Sequence, residues 1–307
     1  MAQFDSPDRL RAYRPLLLAM EAVGWLHMIG KARKEFLQSK DSDDNKGFDQ
    51  WFEGIFETWN QVLGSVRSKF KLNEHAWPED LKDFVKRHKD QDKGLLGLLQ
   101  AGHAMASAIE KNIPRSSDQY LDQRELGAVW LSTAFGYPVC NLLADPSELL
   151  SEVGWTKLVD KVKKLLIDMS DLLVSGGGVN EWQLWRNEII GQEGWLRRCF
   201  STTVADTRVP NNDVTLFDQS YVASALFKSA VAGAVLEDEA FPWSSKDLNL
   251  KRDTRWRLLT IGIGSGNYEA RAVKIGDWTG TLMAIKGFFD EVCRLVEVDL
   301  AIGSLLY

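Results

Sequence analysis

"RPLLLAMEAVGWLHMIGKARKEFLQ", residues 14–38, decides how the chain is read. Leu17, Met20, Gly24, Trp25, Met28 and Phe36 fall at helical intervals, and Pro15 suits a first turn, where its missing N–H goes unnoticed. The stretch predicts a helix, ended by the polar run "SKDSDDNKG". It carries His27 and, four residues on, Lys31. Read from its neighbours alone, a histidine on an apolar helix is a core or half-buried residue hydrogen-bonded nearby.

The same periodicity recurs outward from there. "FDQWFEGIFETWNQVLGSVRSKF" predicts a second amphipathic helix, "WPEDLKDFVKRH" a third with Pro78 near its start, and "KGLLGLLQAGHAMASAIEK" a fourth. Further helices are expected over 124–135, 146–153, 156–173 and 215–236, with "SGGG" and "RVPNND" as breaks. The character changes after Phe241. "FPWSSKDLNLKRDT" (241–254) reads as a polar linker, and "RWRLLTIGI" (255–263) is the clearest strand pattern in the chain. A glycine-rich stretch follows, and then Leu282, Ile285, Phe288, Phe289, Val292, Leu295 and Val296 trace one apolar helical face. "AIGSLLY" has the composition to begin a second strand. The expected organisation is a helical unit over 1–240, a linker over 241–254 and a small α/β unit over 255–307. One strand, one helix and the start of another strand cannot close a core. Two alternatives stay open: these residues lean on the helical unit and a partner, or the chain continues in a longer protein.

Composition sets the outer bounds. With 307 residues, 45% hydrophobic and 26% charged, the chain can bury a large core. A net charge of −6 and a pI near 5.4 exclude a broad basic face for nucleic acid but leave room for local patches. "KLVDKVKKLL" (157–166) is one; it reads most simply as a solvated helix face, and as an RNA contact otherwise. Cys140, Cys199 and Cys293 are scattered, which excludes a disulfide framework or zinc knuckle and points to a reducing cytoplasm. No run of about 18 apolar residues suggests a membrane span. The twelve tryptophans are read as core and interface residues rather than base-stacking platforms.

Several stretches in order resemble the large subunit of type III CRISPR effector complexes, a family that joins an N-terminal HD-type nuclease domain to polymerase-like palm domains. "LLLAMEAVGWLHMIGK" is similar to its apolar helix ending in His-Asp-x-x-Lys, and "LLGLLQAGHAMASAIEK" to its Ala-Asp-x-x-x-Ser helix. "PNNDVTLFDQSYVASALFKSAV" (210–231) is similar to its Asn-Asp-Val-Thr-Leu-x-Asp-His-Ser helix. "RLLTIGI" with "AVKIGDWTGTLMAIKGFFDEVCRLVE" looks like the first strand and helix of a palm. The resemblance implies a mainly α fold: an HD-domain-like helical bundle followed by the start of a ferredoxin-like palm.

The same matches show substitutions. His27 and Lys31 match, but Met28 stands where the family has a ligating Asp. In "FVKRHKDQ" His88 matches the first of a frequent His-His pair, and Lys89 replaces the second. Gly102 takes the position of an Asp, while Ser107 is kept. Asp218 and Ser220 remain in "LFDQS", where Gln219 replaces a His. An HD-type site needs several nitrogen and oxygen ligands from different helices, and Met, Lys, Gly and Gln do not normally hold a divalent ion. The resemblance thus implies a vestigial metal cluster and no nuclease activity. Without it, His88 between Arg87 and Lys89 is a solvated face, and Asp218 and Ser220 are helix-capping residues. His103 has no ligand counterpart and is read as structural.

The chain contains no Gly-Gly-Asp-Asp, the palm motif for cyclic oligoadenylate synthesis, so cyclase activity is not expected of it. "GIGSG" (262–266) lacks both P-loop and GxGxxG spacing and reads as a turn. The expected role is a structural or regulatory part of a type III effector, without cofactor or metal. Other effector subunits are its expected partners, with guide or target RNA met indirectly or through basic patches. The alternatives are an active metal-dependent HD-type nuclease or phosphohydrolase using His27, His88 and Asp218, and an unrelated helical interaction protein.

Overall fold

The computed structural model describes residues 6–38, 48–86, 92–110, 121–132, 138–144, 148–209, 213–244, 248–262, 271 and 273–304, with side chains at 48–53, 86, 108–110 and 148 excepted. The protein is mainly helical. Its helices are α1 Ser6–Leu26, α2 Lys34–Gln38, α3 Phe48–Lys69, α4 Asp83–Lys86, α5 Gly94–Glu110, α6 Glu152–Ser175, α7 Val179–Ile190, α8 Trp195–Phe200, α9 Leu216–Glu237, α10 Leu250–Asp253 and α11 Ile275–Arg294. A π-helical turn, Leu295–Asp299, follows α11 directly.

Helix α9 is the centre. Its sequence is apolar or small on nearly every side, the signature of a helix enclosed on all faces, and it packs along both α1 and α5. Two glycines set these approaches. A Cβ on Gly24 would meet Ser224 Cβ at 2.5 Å, and one on Gly102 would meet the Ala223 carbonyl oxygen at 2.8 Å, so larger residues would push the helices apart. Around this triplet α6 lies against α3 through a stripe of Trp155, Leu158, Val162, Leu165, Met169 and Leu173. Ser151 caps α6 by accepting from the Gly154 amide at 3.0 Å, and Gly176, at φ 71°, ends it in the left-handed conformation that glycine adopts without strain. Lys157, Lys161 and Lys164 stand on the opposite, exposed side of α6, so "KLVDKVKKLL" is a solvated face here, with Lys164 paired to Asp168. Trp25, Trp59, Trp77, Trp155, Trp182, Trp185, Trp195 and Trp243 are buried, as expected of core tryptophans.

Pro15, expected in a first turn, lies inside α1, which begins at Ser6. The ring removes one helical hydrogen bond, and the run Leu16 to Leu26, buried throughout, outweighs that loss. In the described part of the helix expected over 124–135, residues 124–126 belong to a 3-10 turn and 130–132 to a strand, within short antiparallel pairings. Strands β1 Leu121–Asp122 and β4 Arg208–Val209 pair, as do β2 Trp130–Ser132 and β3 Pro138–Asn141. Gly127, at φ 65°, breaks any helical path, and tertiary pairing decides the rest. Leu37, Val129, Leu142, Leu150 and Val204 form a small core under these strands. Helices α7 and α8 follow α6 in the chain, and α7 packs on it.

The strand expected over 255–263 does not form in its described part. Residues 255–262 have no regular structure, and Leu258 and Leu259 are 85% and 73% exposed. A strand needs a neighbour for its backbone groups, and no described segment offers one. The polar stretch before it is tied down: Trp243 is buried, the Gly94 amide donates to its carbonyl at 3.2 Å, and α10 packs on α5. Residues 295–304 return to the helical body, where Val298 and Ala301 join the main core; residues 301–304 form no strand. No helix among the described residues is long and apolar enough to cross a membrane.

Candidate functional site

Three segments far apart in sequence meet where α1 ends. His27 follows the last residue of α1 and is 1% exposed; its Nδ1 lies 2.5 Å from the Gly24 carbonyl oxygen and its Nε2 lies 3.0 Å from His103 Nδ1 on α5. A carbonyl only accepts, so with both rings neutral His27 carries its proton on Nδ1 and accepts from His103 Nδ1–H. The two rings meet edge to face, centroids 5.2 Å apart. Lys31, in the 3-10 turn Ile29–Ala32, sends Nζ to the Ala205 carbonyl oxygen at 2.7 Å and to Gln219 Oε1 at 3.3 Å. Gln219 Nε2 in turn donates to Ser107 Oγ on α5 at 2.7 Å. An unbroken chain of polar contacts therefore runs from Lys31 through α9 to α5.

The backbone acceptor is placed by a short strap. The Ala205 amide donates to the Val214 carbonyl and the Leu216 amide to the Thr203 carbonyl, both at 2.9 Å, with Val204 bridged to Thr215. This pairing carries the Ala205 carbonyl oxygen to Lys31. The neighbouring Asp206 carboxyl is pushed up by burial, but the Arg208 guanidinium, with a smaller contribution from Lys31, holds it below the usual carboxylate range.

Of the residues singled out in the sequence, Lys31, Gln219 and Ser107 are joined by hydrogen bonds, and His27 contacts His103, four residues before Ser107 on the same helix. Ser220 is buried at 2% exposure, and its Oγ makes no hydrogen bond. Asp218 is not part of the cluster. It is exposed, and its carboxylate accepts from the Thr215 amide at 3.1 Å and the Thr215 hydroxyl at 2.6 Å, while Thr215 Oγ1 accepts from the Asp218 amide at 3.2 Å. That is a reciprocal capping box at the start of α9. Met28 is buried at 4% exposure. Gly102 is pressed against α9, within 2.8 Å of the Ala223 carbonyl and 3.2 Å of the Phe227 amide nitrogen measured from a built Cβ. An Asp side chain has no room there. His88 and Lys89 lie outside the described residues. His103 and the Ala205 carbonyl are participants that sequence reasoning did not place; His103 was legible only as a histidine on an apolar helix.

Among the described residues no group of three or more His, Cys, Asp or Glu side chains is placed to hold a metal ion. The donors that do converge are two imidazoles bonded to each other, an amide and a hydroxyl, with an ammonium among them. A divalent ion takes several imidazole or carboxylate ligands, and an ammonium beside it is repulsive, so this set does not suit one. Comparison of the chain with protein-family models, curated proteins and solved structures finds no match.

Proposed function

We propose that the chain is a structural and regulatory component of a type III CRISPR RNA-guided effector complex, as a subunit or as the N-terminal portion of the large subunit. In this reading its helical body is an HD-type domain with an inactive nuclease site, and residues from 255 onward begin a ferredoxin-like palm. One observation carries it: Lys31 and Gln219, 188 residues apart, belong to one hydrogen-bonded chain that also holds Ser107 on α5, and the His27–His103 contact ties the end of α1 to the same helix α5. His27, Lys31, Ser107 and the substituted position Gln219 are ones that the resemblance assigns to a single site; His103 is not. Gln219 uses its amide on Lys31 and Ser107, Gly102 has no room for a ligand, and Lys31 supplies a fixed positive charge. The body then docks neighbouring subunits, and contacts with guide or target RNA run through local basic patches or through those subunits.

Two measurements test this. Purified chain exposed to Mn²⁺ or Ni²⁺ stays metal-poor and leaves single-stranded DNA intact, and it joins a type III particle reconstituted from guide RNA and the remaining subunits. Stoichiometric metal with DNA cleavage would instead establish a working HD-type phosphohydrolase. Failure to join the particle would leave a helical interaction protein of another kind.

A further inference from the structure

A second buried polar cluster lies further along the same α1–α9 interface. Glu21 on α1 is 0% exposed and pairs with Lys228 on α9 at 3.0 Å and with Arg186 on α7 at 3.1 Å. Into this group the segment after α11 inserts its own charge. Glu297 accepts from Arg186 at 2.7 Å and from the Tyr221 hydroxyl at 3.3 Å, and its backbone carbonyl accepts from Lys228 at 3.0 Å. Asp299 accepts from Arg11 at 3.1 Å and from Arg14 at 2.6 Å, and Ser304 Oγ donates to Glu21 at 3.0 Å.

We propose that residues 295–304 are a detachable latch: an acidic segment docked in a cationic groove of the helical body, which sets the position of α11 and can leave while the body stays folded. The groove walls supply Arg11, Arg14, Arg186 and Lys228 against Glu21 and the Asp8 carboxylate that pairs with Arg11 at 3.2 Å, and Glu297 and Asp299 offset the remaining excess. Without the segment, Glu21 still pairs with Arg186 and Lys228, and water entering the vacated groove solvates the rest, so no charge is stranded in a dry core. The apolar hold is confined to four side chains: Val298 and Ala301 are buried, and Leu300 and Ile302 pack half-buried against the same core. Helix α11 itself buries no side chain completely.

The junction is built to move. The helix widens into a π turn at Leu295–Asp299, where the Leu300 amide donates to the Leu295 carbonyl at 2.9 Å, and such turns mark points where a helix changes course. Ala301 then sits at φ 51°, a left-handed conformation disfavoured for alanine, and its release relieves that strain. The latch rests on this geometry and on no functional assignment.

Native-state hydrogen exchange on the full chain tests it. Amides of 295–304 should exchange through a sub-global opening whose denaturant dependence is smaller than that of α1 and α9. The double variant Glu297→Gln, Asp299→Asn should exchange about tenfold faster or more in 295–304 and α11, with α1, α5 and α9 unchanged. A labelled peptide of residues 295–304 should then bind this variant and not the wild type. If 295–304 opens only together with α1 and α9 in the wild-type chain, the segment is integral core and the proposal fails. That measurement decides the matter even where the double variant does not fold.

Discussion

The carbonyl oxygen of Ala223 lies 2.8 Å from the place where a Cβ on Gly102 would stand. In an open helix, Gly→Ala stabilises by about 1 kcal/mol through propensity. Here the neighbour is backbone and cannot swing away, so Gly102→Ala is expected to destabilise by roughly 1–3 kcal/mol, and Gly102→Asp by more. Thermal unfolding followed by circular dichroism measures both. Gly102→Asp should also fail to bring in Mn²⁺. A Gly102→Ala protein more stable than wild type would show that α5 and α9 are not in this contact.

Gln219 joins Lys31 to Ser107, so Gln219→Leu removes two hydrogen bonds, one from the buried Ser107 and one from the half-buried Lys31, which keeps the Ala205 carbonyl. A loss of about 1–3 kcal/mol is expected. Urea unfolding gives the value. A neutral result would mean that water replaces the amide without cost.

Glu21 and Lys228 are each the lone charge in a long apolar helical stretch, and they find each other at 3.0 Å. Removing Glu21 alone leaves the buried Lys228 without its carboxylate, at a cost of about 3–5 kcal/mol, whereas removing Lys228 leaves Glu21 paired with Arg186 and should cost less. The pair Glu21→Gln, Lys228→Met should cost clearly less than the sum of the single changes, because it removes both charges. A double-mutant cycle in urea reads this directly, and simple additivity would count against the pairing.

Asp218 acts at the helix start and not in the polar cluster. Asp218→Ala is expected to cost about 1 kcal/mol through loss of the cap. The imidazole NMR signals of His27 and His103 should stay where they are. Shifted signals would place the carboxylate nearer the histidines than its capping geometry allows.

The dependence of stability on pH has two windows. Burial pushes the carboxyls of Glu21 and Asp299 up, but Arg186 and Lys228 in one case, and Arg11 and Arg14 in the other, outweigh it and hold both below their usual values. Their contribution is therefore complete above the unfolded carboxylate range and is lost as pH falls through the lower folded values. At the alkaline end, burial pushes the Lys228 ammonium down to about 8 from 10.5, against the pull of Glu21. The folded protein releases this proton before the unfolded chain does, so the contribution of Lys228 to stability rises between those two values. Urea midpoints across pH should show the acid loss in the wild type, and an alkaline rise that Lys228→Met abolishes.

What the sequence by itself determined is what neighbouring residues settle among themselves. The periodicity of α1, α3, α5, α6 and α9, the stop at Gly176 and the core placement of most tryptophans follow from which residues repeat at helical spacing. The motifs single out His27, Lys31, His88, Ser107, Asp218 and Ser220 with the substituted Gln219; hydrogen bonds join Lys31, Gln219 and Ser107, while His27 bonds to His103 and Asp218 caps α9. Contacts between distant segments decided the rest. Residues 130–132 become a strand because 138–141 are there to pair with. Residues 255–262 stay irregular because no described segment pairs with them. Gly102 is held as glycine by the backbone of α9, and Glu21 and Lys228 tolerate burial only because α1 and α9 bring opposite charges together. Helical period sets which face of a segment is apolar, but only tertiary packing chooses which faces meet and which buried charge finds a partner.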